Sequence, residues 1–359
     1  MPDDASNGWA LTEDDARLRP SARRLGSREG DQGVAIEPRG LVSAMVVDLA
    51  PQDWLVIAYF TLLFVGVLFG AGPHREEAGL RVIEHAVVLA LGLALTRGGI
   101  LRRQGFASAL VYRLTLFATV VSSYFALRII LPAAAPRVVD ATLYAIDRRV
   151  FHYEPALAWD RFVSPSTTEW FAFFYFSYFV LLAAHVLPFM FFGTNMAVLA
   201  RFAMATFLTF CGGQLLYIVV PGYGPHWFLA NQFEHPLSGG VFWGLVKATI
   251  ADAGAEKDIF PSLHTAVPTM FTLLAFRLRA ASRPFRLSWL PMALWTSQII
   301  LATMFLRWHY LIDICAGLLL AVLSVTIADR AIGWDEARRA RLHLAPAWTP
   351  LFRSASGSR

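Results

Sequence analysis

Phe260-Pro261-Ser262-Leu263-His264-Thr265-Ala266 opens an apolar window that runs to Phe276, and Arg307-Trp308-His309-Tyr310-Leu311-Ile312-Asp313 opens another. Between them lie Arg277, Arg279, Arg283 and Arg286 and one more apolar window, residues 287–306. A bilayer core needs about 20 apolar residues per helix. The chain leaving His264 is therefore expected to cross a membrane, turn through the Arg-rich loop and cross back. Two crossings return it to the face it left, so His264 and His309 are expected at one depth.

Working outward, windows of the same kind recur at residues 54–72, 80–96, 114–131, 170–192, 202–220, 261–276, 287–306 and 310–327. They predict an all-α, polytopic membrane helical bundle of about eight transmembrane helices. The whole composition agrees. Of 359 residues 56% are hydrophobic and only 16% charged, against about 25% in soluble domains. That excludes a disordered scaffold, and 2 cysteines, Cys211 and Cys315, exclude a disulfide-stapled secreted domain. Both lie in apolar runs and are expected as buried free thiols. The net charge of +5 comes from Arg in short loops and tails, which favours a membrane surface over nucleic acid, so no nucleic-acid partner is expected.

Arg placement orients the bundle. Arg17, Arg19, Arg23, Arg24, Arg28 and Arg39 precede the first window; Arg97, Arg102, Arg103 and Arg113 follow the second. With Arg277–Arg286 and Arg330, Arg338, Arg339 and Arg341 they predict cytoplasmic termini in the cell membrane. The long loops 132–169 and 221–260 then lie outside or on the outer face, with interfacial helices and functional backbone. No internal repeat supports a transporter.

The chemistry concentrates at the two quoted stretches. Pro261 suits a first helical turn, and Ser262 with the unpaired amides of that turn would face an anion. His309 and Asp313 are four apart, so on one helix the carboxylate would hold one imidazole nitrogen and leave the other to attack. His85 and His185 are read as structural, His152 with Glu154 as a solvated loop pair, and the aromatic run 170–179 as lipid-facing or core helix.

With this spacing, Pro261-Ser262-Leu263-His264 and His309-Tyr310-Leu311-Ile312-Asp313 resemble the second and third motifs of the phosphatidic acid phosphatase type 2 superfamily. Leu263 where Gly is usual, with Gly222-Tyr223-Gly224-Pro225-His226 upstream, resembles its inositolphosphorylceramide synthase-like branch. The resemblance implies a six-helix catalytic core over 114–328, two added helices in 51–113, a polar disordered tail over 1–50 and a second tail over 329–359. It also implies that His309 is a nucleophile forming a phosphohistidine, that Asp313 orients it, and that His264 is the acid and base. Ser262 would hold phosphoryl oxygens, on a lipid phosphate or phosphodiester, with water or a polyol such as inositol as acceptor and no metal.

Two departures mark the phosphate clamp. The first motif, Lys followed seven residues later by Arg-Pro, is absent, and Thr303 stands where the third motif has Arg. Arg307, His226 and the backbone at Gly224 are the candidates to replace them, with Lys257 and Arg128 behind. The rivals are a polyprenyl diphosphate phosphatase and a transporter or scaffold that lost the chemistry.

Overall fold

The computed structural model describes residues 40–102, 105–280 and 283–352. The basic N-terminal residues Arg17 to Arg39, most of the expected tail, and Arg103 lie outside them. The chain runs α1 (Leu41–Asp48), α2 (Pro51–Phe69), α3 (Arg75–Arg97), α4 (Phe106–Ala134), α5 (Asp140–Val150), α6 (Pro155–Ala158), α7 (Pro165–Phe192) and α8 (Met196–Val219). It continues through α9 (Pro225–Phe228), α10 (Val241–Ala253), α11 (Leu263–Leu278), α12 (Arg283–Phe305) and α13 (Leu311–Arg341). No strand occurs among the described residues. The protein is an all-α polytopic bundle.

Among the described residues seven helices, α2, α3, α4, α7, α8, α12 and α13, are long and apolar enough to cross a membrane. The eighth window is the exception: α11 has only 16 residues, about 24 Å at 1.5 Å per residue. Pro261 is not in its first turn, as the sequence suggests, but precedes the N-cap; Ser262 caps the helix and its side chain accepts from the Thr265 amide at 3.3 Å.

Short α11 sits among long neighbours. It packs against α8, α12 and α13, and α12 in turn packs on α7. Gly317 in α13 allows a close approach: a Cβ there would lie 2.6 Å from the Ser262 carbonyl oxygen and 3.1 Å from Thr265 Cβ. The Ser262 amide donates to the Asp313 carbonyl at 3.1 Å. These contacts tie the two quoted stretches of sequence together.

The hairpin of α2 and α3 leans on α4 and α8. Apolar surface alone does not specify its register, since lipid is as apolar as a helix face. Buried polar bonds supply it: Tyr59 Oη shares a 2.8 Å bond with Ser123 Oγ in α4 and donates to Gln214 Oε1 in α8. At the end of the bundle away from α11's start, Arg97 Nε donates to Asp53 Oδ2 at 3.0 Å. There Arg97, Arg113 and Arg339 also donate to the carbonyls of Ala347, Thr349 and Ala345, strapping the C-terminal segment across the helix ends.

The expected long loops hold α5 and α6, and α9 and α10. Leu143, Leu229 and Ile259 from these loops form a small second core with Tyr310, which precedes α13, over one end of the bundle. Cys211 is buried as expected, but Cys315 is exposed, on the same unpacked stretch of α13 as Leu318, Leu319, Val322 and Leu323. Its apolar surroundings would be lipid, not protein. Glu154 is likewise not a solvated partner of His152: it is 2% exposed, caps α6 through the Ala156 amide and is raised to about 8 by burial.

Replacing Gly317 by Ala should force α13 away from α11 and cost about 1–3 kcal/mol. Gly333, where nothing lies within 4 Å of the added Cβ, serves as the control, because Ala there should be neutral or slightly stabilising. Thermal unfolding of both variants in detergent checks the difference.

Candidate active site

His309 does not lie on a helix. It ends the turn after α12, where the amides of Trp308 and His309 both donate to the Thr303 carbonyl, at 2.9 and 3.3 Å. The reversal puts Arg307 at φ +67, a left-handed backbone that side-chain-bearing residues rarely adopt. Asp313 lies in the first turn of α13, and its Oδ2 accepts from the Tyr310 amide at 2.9 Å. The two side chains meet as expected although not across one helical turn: His309 Nδ1 stands 3.4 Å from Asp313 Oδ2. That is close, but without hydrogen-bond geometry, and Nδ1 has no partner among the described residues.

His264, the second residue of α11, is stacked on Tyr175 of α7 with ring centroids 4.2 Å apart and flanked by Tyr178 at 4.2 Å. Its Nε2 is buried without a hydrogen-bond partner among the described residues. His264 and His309 line one cavity of about 590 Å³, together with His226 and Asp258. Tyr124, Tyr175, Tyr178, Tyr217, Tyr223 and Glu256 also line it, and one stretch of its wall is apolar, with Val121 and Phe125 of α4, Phe179 and Leu182 of α7 and Phe210 of α8. The amides of Leu263 and His264 have no acceptor among the described residues. Two imidazoles, unpaired amides at a helix start and an apolar wall make a site for an anion attached to a hydrocarbon.

A family model, described as the PAP2 superfamily, matches residues 141–327, more than half of the chain. The chain belongs to the PAP2 superfamily. Comparison with curated proteins and with solved structures returned no match. Membership supports a phosphatase or phosphotransferase type of activity on lipid phosphates, in an integral, multi-pass membrane protein.

Within this PAP2 chain the clamp candidates are distributed unevenly. His226 reaches the cavity, its ring 4.6 Å from that of Trp308. Arg307 does not. Its guanidinium donates to Asp160 Oδ1 and to the His235 carbonyl, both at 2.5 Å, and lies over the Phe233 ring. Lys257 donates to the carbonyls of Ala135 and Pro136 at 3.1 and 3.0 Å. Arg128 is exposed on α4, against Gly254, and Thr303 is buried with its hydroxyl donating to Ile300. No Lys or Arg lines the cavity among the described residues.

Gly224 and Ser262 are brought close for reasons other than phosphate. The Gly224 amide donates to Asp140 Oδ1 at 2.8 Å and is not available to an anion. Its glycine is required, since φ is +93 and a Cβ would lie 2.3 Å from the Trp308 carbonyl. Ser262 is fully buried in the α11–α13 contact and does not line the cavity. Nor is the start of α13 an open anion site: Asp147 accepts from the amides of Leu311 and Ile312 at 2.6 and 2.9 Å.

Asp258 is the residue that sequence reasoning missed. It precedes Pro261-Ser262 by a few positions, a signal too weak to separate it from the other loop acids. In the fold it enters the cavity and accepts from Tyr124 Oη at 2.8 Å. Burial raises its carboxyl to about 6, with the Tyr124 hydrogen bond and His309 pulling the other way. Burial also lowers His309 to about 4 against the opposing pull of Asp258, so its imidazole is neutral at neutral pH.

The sign of the Asp258 effect follows from linkage. Folded, the carboxyl titrates near 6; unfolded, near its ordinary 3.8. The folded state holds the proton more tightly, so stability is present at low pH and lost as pH rises through about 6. Asp258→Asn should therefore stabilise the protein at pH ~8, by an order of 1–2 kcal/mol after discounting for water in the cavity, and little at pH ~4.5. Thermal unfolding at the two pH values reads this out.

Proposed function

We propose that the protein is a membrane-embedded phosphotransferase or phosphatase that acts on a lipid phosphate or phosphodiester through a phosphohistidine at His309. The observation that carries this reading is the meeting of His264 and His309, which are far apart in the chain, in one cavity beside an unpaired helix start. The His309 nitrogen remote from Asp313 attacks phosphorus while the bond to the leaving alcohol breaks, and His264 gives that alkoxide a proton. An acceptor hydroxyl then returns a proton to His264 as its oxygen attacks the phosphohistidine and frees His309. Asp313 holds the tautomer and supports the positive imidazole that forms.

The phosphoryl oxygens meet the amides of Leu263 and His264 at the dipole end of α11, with His226 as a further donor. The apolar wall of α4 and α7 takes the hydrocarbon. The Arg clusters favour cytoplasmic termini and a cavity on the outer face. Residues 114–328 are the catalytic core; the two added helices over 51–113 and the tails over 1–50 and 329–359 flank it. The Leu263 signature and the Gly222–His226 segment favour the inositolphosphotransferase branch, with a polyol as acceptor. The transporter or scaffold reading is favoured by the lack of Lys and Arg along the cavity; a polyprenyl diphosphate phosphatase would show activity on isoprenoid diphosphate and none on glycerolipid or ceramide.

Incubation with lipid carrying labelled phosphate, quenched in alkali, should trap label on the wild-type protein and none on His309→Ala, which also loses turnover. His264→Ala should block leaving-group departure or the second half-reaction, and Asp313→Asn should cost several powers of ten in rate. Wild-type rates in His309→Ala would end the mechanism. Trapped label would exclude the scaffold.

A further inference from the structure

We infer that Asp258 is a specificity-determining residue, selecting a phosphodiester with one negative charge against a phosphomonoester with two, a narrowing that rests on the reading of the cavity as a lipid-phosphate site. The charges around the cavity lead there. The cations near it are committed elsewhere, Arg307 to Asp160 and Lys257 to two backbone carbonyls. What remains for a phosphate is neutral or dipolar: imidazoles, amides and phenols.

Into that setting the fold brings a carboxyl. Asp258 faces the phenols of Tyr124, Tyr175, Tyr178 and Tyr217 and the imidazoles of His264 and His309, none of them a permanent cation. His226 and Glu256 line the same cavity, and Glu256 adds charge of the same sign as Asp258. A phosphomonoester carries nearly two negative charges at neutral pH, a diester one. With the carboxylate ionised and an effective dielectric of about 20, the additional charge within several ångströms is repelled strongly enough to cost at least about tenfold in affinity. An Arg or Lys clamp would invert that preference. Here its place is taken by an acid.

Dodecyl phosphate and dodecyl methyl phosphate share a chain and differ by one charge. Their binding to the intact protein in detergent can be followed by quenching of Trp308 and Trp227, which line the cavity. At pH ~8 the wild type should favour the methyl diester by at least about tenfold. At pH ~5, where the monoester has lost its second charge, the preference should shrink. Asp258→Asn should bring the two probes within about threefold of each other at pH ~8, whereas Tyr124→Phe, which keeps the carboxyl, should retain the preference. Asp258→Ser is read alongside, so that one unfolded variant does not decide the matter. Equal binding by the wild type at pH ~8, or full preference in folded Asp258 variants, would overturn the role of Asp258 alone. Binding of neither probe would overturn the lipid-phosphate reading and this inference with it. The charge preference without any trapped label on His309 would leave Asp258 selecting a ligand and remove the chemistry.

Discussion

The contact between α11 and α13 is what the rest of the structure depends on. The Ser262 amide donates to the Asp313 carbonyl, and Gly317 removes the side chain that would hold the two helices apart. Through this one junction the helix carrying His264 is set against the helix whose start carries Asp313 and, just before it, His309. Neither imidazole is placed by a helix alone. His264 is aimed by Tyr175 and Tyr178 from α7, and His309 by a backbone turn that hangs on the Thr303 carbonyl. The site is a property of packing, and the backbone bonds make that packing specific where lipid gives little apolar driving force between helices.

Around that junction the protein disposes of its backbone donors unevenly. Asp147 covers the first amides of α13, Asp140 covers those of Tyr223 and Gly224, and Glu169 covers Gly240, Phe242 and Trp243 ahead of and within α10. The start of α11 is left uncovered on the side of His264. A buried amide without an acceptor costs free energy, a cost that a ligand oxygen at this start would relieve.

Much of the fold was legible in the sequence because a bilayer reduces the problem to length and apolarity. Seven of the eight windows became helices of spanning length, and α11, at 16 residues, is as short as the 261–276 window that announced it. His264 and His309 could be brought together by counting crossings, an argument indifferent to side-chain detail. What could not be read was the pairing of the outer segments. Arg307 sits beside His309 in sequence, yet Asp160 and the His235 carbonyl, both distant in the chain, claim its guanidinium. Asp258 and Glu154 look like loop acids until the small second core around Ile259 and Tyr310 buries their surroundings. Burial of a charged loop residue is decided by which distant loop lands on it, and no periodicity records that.

The strap at the far end of the bundle has a consequence for how the molecule is made. Arg97 holds the Ala347 carbonyl 250 positions further on, and Arg113 holds that of Thr349, 236 positions away. Arginines that enter the bilayer's edge with the earliest helices therefore wait through almost the whole of synthesis for the carbonyls they will bind. Until then the first hairpin is an unfinished assembly: the Arg97 charge already meets Asp53 within it, and the carbonyl that completes its surroundings arrives last.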